Sequence, residues 1–305
     1  MPQPELAVLI SAYERPAHLR RCLFSLMLQE EVAGRFEVVV TDDGSSSATL
    51  DVVREFAREA AFPVKLTTHR HDGFRLARCR NEGIALCTAP YVLMSDGDCV
   101  FPRDHLHCHL SGRRQGFFVA GDCFRLSEVA SAQVDLAAIL SDRLMEKVHA
   151  QERRRLGWKT ARAIAYTRLQ LRMLPRLTGC NMAVWRDDLL AVNGFDERFV
   201  GWGLEDRDIQ RRLETLGRRC RTILPSTAAF HLWHPPVESF VRNNVGTPNL
   251  AYYESNSHSV RCLQGLANHL GRVKDLLEPS CNRSTGMPPQ GLLEKLAAPS
   301  RQSTS

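Results

Sequence analysis

The stretch Tyr91-Val92-Leu93-Met94-Ser95-Asp96-Gly97-Asp98-Cys99 is an apolar run of strand length that ends in two carboxylates one glycine apart. A strand with such an end carries its polar groups at the carboxyl edge of a sheet, where α/β proteins bind ligands. Paired carboxylates there suit a hard divalent cation with a phosphate on its far side. They also suit a polar turn after a buried strand. The flanking sequence decides between the two.

Towards the N-terminus, ELAVLISA (residues 5–12) is a continuous apolar run, as expected of a strand buried on both faces. Helical spacing follows over 17–29, a strand over 36–41, a helix over 48–60, a strand over 64–68 and a helix over 75–86. Strand and helix alternating with short joints predict an α/β fold with a doubly wound, mostly parallel sheet flanked by helices. A parallel sheet collects its strand ends on one rim. Ser11 to Arg15, Asp42-Asp43 and Asp96 to Asp98 should therefore converge. No G-x-G-x-x-G follows the first strand, which argues against a dinucleotide-binding dehydrogenase.

Beyond Asp98 the pattern predicts a helix over 102–113, a strand over 117–124 and mostly helix over 129–174. A strand over 178–185, helices over 187–192 and 205–216, a strand over 221–224 and helical pieces within 238–276 complete it. The tail from Pro279 is rich in Ser, Pro, Gly and Gln and reads as disordered. The expected division is a catalytic unit over 1–236, with a basic helical insertion at about 129–176, and a C-terminal helical extension over 237–305.

Bulk properties narrow the class. At 305 residues and 44% hydrophobic content the chain can bury a large core, and no window approaches 18 uninterrupted apolar residues. Residues 1–5 lack a signal-peptide pattern, so a cytoplasmic location is expected. The 10 cysteines show no C-x-x-C spacing and read as free thiols. The net charge of +6 is uneven: residues 143–176 hold ten Lys/Arg against Glu146 and Glu152. That segment reads as a solvated helical insertion or as a surface for anionic lipid head groups or a polyanionic acceptor glycan, the former at the inner membrane face. A nucleic-acid patch is disfavoured, because aromatics are sparse and no binding motif is present.

Taken together, LAVLISAYERP, VVVTDDGSS, GFRLARCRNEGI, YVLMSDGDC with its D-x-D, TGCNMAVW and GFDERFVGWGLEDRDIQRRL resemble a family 2 glycosyltransferase of the GT-A fold. The match is to chondroitin-polymerase-like domains and to galactosyltransferases carrying W-G-x-E-D. The resemblance runs from Leu6 to about His234 and implies metal-dependent, inverting transfer from a UDP-sugar to a hydroxyl on a glycan, glycolipid or other glycoconjugate, as in polysaccharide biosynthesis. It implies that Ser11, Tyr13 and Arg15 line the base and ribose, and that Asp43 accepts from uracil N3–H, since an ionised carboxylate only accepts. Asp42 reads as either a partner of Asp43 or a turn residue. One of Arg75, Arg78 and Arg80 should hold the diphosphate or base, and Asn81 should tie neighbouring loops.

By the same resemblance Asp98 ligates Mn²⁺ or Mg²⁺, while Asp96, with Gly97, touches the ribose or the metal and its waters. His231 is the expected second metal ligand, with His234 as competitor. Gly179, Cys180 and Asn181 correspond to a stretch lining the donor sugar, although the relatives carry glycine where this chain has Cys180. Trp202 should face a pyranose. Asp206 is the expected general base, Glu205 holds sugar hydroxyls, and Asp208 reads as surface. Two other readings stand beside this one, a nucleotidyltransferase of similar fold and a non-catalytic glycan-binding scaffold.

Overall fold

The structure, a computed structural model, describes residues 3–256 and 259–277. The first half alternates as the sequence predicts: β1 (Leu6–Ala12), α1 (Pro16–Met27), β2 (Phe36–Asp42), α2 (Ser47–Glu59), β3 (Val64–Thr68), α3 (Leu76–Leu86) and β4 (Tyr91–Asp96). Every residue of β1 and β2 is buried, which is why their sequences are apolar throughout rather than alternating. Helices α1 and α2 cover one face, packing Leu19, Leu23, Leu26, Val52 and Phe56 against Val8, Ile10 and Val38. Helix α3 covers the other with Ala77 and Ile84 on Leu9, Val39 and Met94.

The following elements are β5 (Cys99–Val100), α4 (His105–Gly112), β6 (Phe117–Ala120), β7 (Cys123–Arg125), α5 (Glu128–Ala132), α6 (Leu136–Leu140) and α7 (Ala150–Leu169). Then come β8 (Met182–Trp185), α8 (Arg186–Val192), α9 (Glu205–Thr215), β9 (Arg219–Thr222), β10 (Ala229–His231) and α10 (Pro248–Ser255). The large sheet runs β3-β2-β1-β4-β8-β6-β9, and a small one runs β5-β10-β7. Strands β3, β2, β1 and β4 are parallel, while β8 is antiparallel to β4 and β6. The winding reverses between β1 and β4, which opens a crevice at their carboxyl ends.

Register sets the floor of that crevice. Ala12 pairs with Asp42 and Ser11 with Asp96, so three polar strand ends lie at one height. In the small sheet His231 pairs with Cys99, and the Leu232 N–H donates to the Asp98 carbonyl at 2.9 Å. This pairing brings the late histidine beside a residue more than a hundred positions earlier.

Two expectations about elements are corrected. The strand expected over 117–124 is two strands in different sheets, because the chain crosses between them at Gly121-Asp122, where the Gly121 N–H donates to the Asn181 carbonyl at 2.8 Å. The strand expected from 178 begins at Met182, since residues 178–181 close a turn with the Asn181 N–H on the Thr178 carbonyl. Residues 237–277 fold back on the same body: Leu266 is in the core beneath α3, and Asp275 accepts from the Leu66 N–H. The tail expected to be disordered lies outside the described residues from 278 onward. Among the described residues no helix is long and apolar enough to cross a membrane.

Candidate active site

A cleft of about 470 Å³ opens at the carboxyl end of β1 and β4. Its walls include Ser11, Tyr13, Arg15, Asp43, Asp96, Gly97, Asp98, Trp202 and His231, all singled out in the sequence. They also include His234, the competitor the sequence offered for His231, and two residues it did not offer, Arg125 and Phe240. The loop after β1 is strained: Glu14 and Arg15 have φ of 49° and 55°, a left-handed conformation that costs a non-glycine residue of order 1 kcal/mol. Hydrogen bonds hold it there. Glu14 accepts from the Ser46 N–H and hydroxyl at the start of α2, and its own N–H donates to Ser45. The conformation turns Arg15 to within 3.6 Å of Asp98.

Asp42 and Asp43 divide the work of their strand end. Asp42 accepts from the Gly44 and Ser45 N–H groups and from the Ser45 and Thr68 hydroxyls, so it is a turn residue. Asp43 faces the cleft. One oxygen accepts from His69 at 2.8 Å and the other from the Arg75 N–H at 3.3 Å. His69 meets Glu82 with its other nitrogen at 2.7 Å. Burial works against its charge, but the bonds to Asp43 and Glu82 prevail and lift its pKa to about 9. Tyr13 is 41% exposed and stacks on His71 with ring centres 4.3 Å apart.

Asp98 stands at the centre of the cleft. His231 Nε2 lies 3.3 Å from one carboxylate oxygen and His234 Nε2 3.1 Å from the other. The three side chains each offer one ligand atom within 4.8 Å of the others. One buried carboxylate and two imidazoles converging within ligand reach of one another fit a divalent cation. Burial raises the Asp98 pKa, but the His234 hydrogen bond and the nearby His231 and Arg15 outweigh it and hold the group below the usual range. The same bond raises the pKa of His234. Asp96 lies outside this trio; its carboxylate turns towards Arg80 at 3.5 Å. Burial pushes its pKa up against the opposing charge of Arg80.

Arg80 is the largest departure from the sequence reading. The sequence offered Arg80, with Arg75 and Arg78, for the diphosphate or base, yet its guanidinium is buried among Asp96, Glu205 and Asp206, 2.7 Å from Asp206. Arg75 instead pairs with exposed Asp72 before α3, and Arg78 with buried Glu82 one turn along it. None of the three lines the cleft, whose cations are Arg15 and Arg125. A residue on strand β7 has no local signature, so Arg125 could not have been found from its neighbours in sequence.

Asp206 is held by Arg80 on one oxygen and by the Gly179 N–H at 2.8 Å on the other. A Cβ at position 179 would fall 2.0 Å from the Arg80 guanidinium, so glycine is required for this approach. Glu205 opens α9 fully buried. Burial first, and the neighbouring Asp206 second, lift its pKa to about 8, which keeps it largely neutral at pH 7. The helix starts from Leu204 at φ 78°, after Gly203 at φ 100°. Trp202 meets Phe240 edge to face at 4.6 Å, and Ser239 accepts the Trp202 N–H.

Asn81 ties neighbouring segments as the sequence reading had it, while Asn181 and Asp208 are corrected to supporting positions. Asn81 spans the turn after α8, bonding the Phe195 N–H and carbonyl and Glu197. Asn181 is buried between His109 and the Asp122 carbonyl, away from the cleft. Asp208, read as surface, is fully buried, because Arg212 one turn on pairs with it at 2.7 Å while also bonding the Val192 and Gly194 carbonyls.

The sequence profile described as "Glycosyl transferase family 2" matches residues 7–123, and that described as "N-terminal domain of galactosyltransferase" matches residues 160–234. Residues 7–123 thus match a family 2 glycosyltransferase domain. That domain holds Asp43, Asp96 and Asp98, and the galactosyltransferase segment holds Trp202, Glu205, Asp206, His231 and His234. Similar proteins include a validoxylamine A glucosyltransferase of Streptomyces hygroscopicus subsp. jinggangensis, 27% identical over 292 residues, covering 92% of this chain and 64% of that protein. A chondroitin synthase of Escherichia coli is 25% identical over 249 residues, covering 77% of this chain and 35% of its own. The chain thus spans less than two thirds of the length of these relatives.

Solved structures share the GT-A fold. A mannosyltransferase from Pyrobaculum calidifontis in complex with GDP-Man and Mn²⁺ superposes with a TM-score of 0.54 at 19% identity, covering 75% of this chain and 57% of that one. TarS of S. aureus with UDP-GlcNAc gives 0.55 at 14% identity, covering 78% and 62%.

Proposed function

We propose that the protein is a metal-dependent, inverting glycosyltransferase that moves a sugar from a UDP-sugar to a hydroxyl of a glycan or glycoconjugate. The observation that carries this reading is the convergence on one cleft of Asp43, the Asp98–His231–His234 trio and two cations. It is supported by the family 2 domain and by the nucleotide-sugar donors named for similar folds, one of them with Mn²⁺. Asp43, oriented by His69, accepts from the N3–H of uracil, and Tyr13 packs on the base. Ser11, Gly97 and Asp96 border the ribose. Arg15 and Arg125 reach the diphosphate, which takes over from Arg75, Arg78 and Arg80 in the sequence reading.

Asp98, His231 and His234 hold the cation. Two imidazoles favour Mn²⁺ over Mg²⁺, which takes an all-oxygen shell. A bound divalent ion supplies charge stabilisation to the departing diphosphate. Asp206 takes the proton of the acceptor hydroxyl. The acceptor oxygen bonds the anomeric carbon from the face opposite the nucleotide, and the electron pair of the broken C–O bond leaves with UDP. Arg80 and the Gly179 N–H aim Asp206, and neutral Glu205 donates a hydrogen bond to a sugar oxygen. Trp202 and Phe240 wall the acceptor side with aromatic faces suited to pyranose C–H groups.

The test is UDP release from a panel of UDP-sugars, with GDP-mannose as comparison, in the presence of Mn²⁺ with and without EDTA. Release from one UDP-sugar, abolished by EDTA, is expected. No release from any donor would favour the scaffold reading, and EDTA-resistant release would remove the metal from the scheme.

A further inference from the structure

We propose that the solvent-facing side of α7 is a docking face for an anionic lipid bilayer. The helix carries two populations of cation. Those facing inward are engaged: Arg155 and Lys159 pair with buried Asp122, and Arg155 also binds Glu152; on the flank, exposed Arg153 is tied to the Met145 and Val148 carbonyls. These contacts, with Leu156 and Ala163 buried beneath, fix which side of α7 faces water.

The outer side is composed differently. Arg154, Trp158 and Arg162 form one row at i, i+4 and i+8, with Ala161, Ala165 and Arg168 beside it. Trp158 is 74% exposed and Leu169, at the end of the helix, 68%. Among the described residues Arg154, Arg162 and Arg168 have no carboxylate partner; Arg162 stacks on Tyr166. Glu152 is the sole acidic residue of α7, and it is turned inward to Arg155 and the Arg125 N–H. The face is therefore uniformly cationic around an exposed indole and small alanines.

That combination fits one partner chemistry. An indole exposed to water loses by staying there and gains at the boundary between head groups and acyl chains. Arginines flanking it at the same height meet lipid phosphates and carboxylates, each improving partition about fivefold on an anionic leaflet. A soluble polyanion would use the arginines but leave Trp158 in water. The small side chains at 161 and 165 let the helix lie flat enough for Trp158 to enter. The face belongs to none of the residues assigned to the cleft, so this inference does not depend on the proposed activity.

The experiment is flotation of the full chain with phosphatidylcholine vesicles, with and without phosphatidylserine, alongside tryptophan emission. We expect binding only when phosphatidylserine is present, weakening with salt, with a blue shift that Trp158→Phe removes. The variant R154E/R162E/R168E should lose at least roughly a hundredfold in partition, with an unchanged melting temperature and unchanged UDP release. Three results would overturn the proposal. One is wild-type protein that stays unbound with phosphatidylserine vesicles. Another is equal binding by the triple variant. The third is heparin-competed binding without a blue shift, which would assign the face to a polyanion.

Discussion

Replacing His69 with glutamine tests the support under Asp43 through its pH dependence. The imidazole sits between Asp43 at 2.8 Å and Glu82 at 2.7 Å, and only the protonated ring can donate to both. Its side chain is 5% exposed, so solvent screening is slight. The pKa rises from 6.5 to about 9 on folding: desolvation opposes the charge, and the two carboxylate bonds more than offset it. Because the folded value is the higher one, the stabilisation is complete below about pH 6.5 and is lost as the pH rises through about 9. The gap corresponds to about 3 kcal/mol. Urea unfolding, followed by tryptophan fluorescence at about pH 6 and about pH 9.5, should show the wild type losing about 3 kcal/mol that His69→Gln never had. Glu205 also titrates in this range, but it is common to both proteins and cancels in the difference. UDP affinity of the variant should fall as Asp43 loses its orientation. Parallel pH profiles for the two proteins would refute the assignment of a doubly bonded imidazolium.

Other expectations follow from the same geometry. Asp206→Asn should keep UDP binding, because an amide oxygen still accepts from Gly179, while transfer falls by about 10²–10⁴ with loss of the base; normal turnover would move the base elsewhere. His234→Ala should weaken Mn²⁺ binding by 10-fold or more, read by electron paramagnetic resonance of free Mn²⁺, whereas Asp96→Ala should weaken it less because Asp96 faces Arg80. Arg80→Met leaves the half-buried Asp96 and Asp206 without their buried cation and should lower stability by about 3 kcal/mol in chemical unfolding; a change within the error of the wild type would show that Arg80 does not hold this cluster together. Phe240→Ala should raise the acceptor KM and leave Mn²⁺-dependent UDP binding unchanged, as measured by calorimetry.

The sequence by itself determined the α/β class, most elements of the first hundred residues and the strand ends that build the cleft. Buried parallel strands must be apolar throughout, and a parallel sheet must gather its carboxyl ends, so LAVLISA, FEVVVT and YVLMS followed by polar residues leave little freedom. The tertiary structure decided what depends on distant pairings. The antiparallel register of β10 on β5 brings both His231 and His234 to Asp98, where the sequence offered them as competitors. The approach of the first residues of α9 to α3 turns Arg80 from a helix-surface arginine into the buried partner of Asp96, Glu205 and Asp206. Helical spacing tells which residues share a face, but not which face will be covered. For the stretch that ends in Asp96 and Asp98, this means that two carboxylates one glycine apart serve different partners: two histidines on one side and a buried arginine on the other.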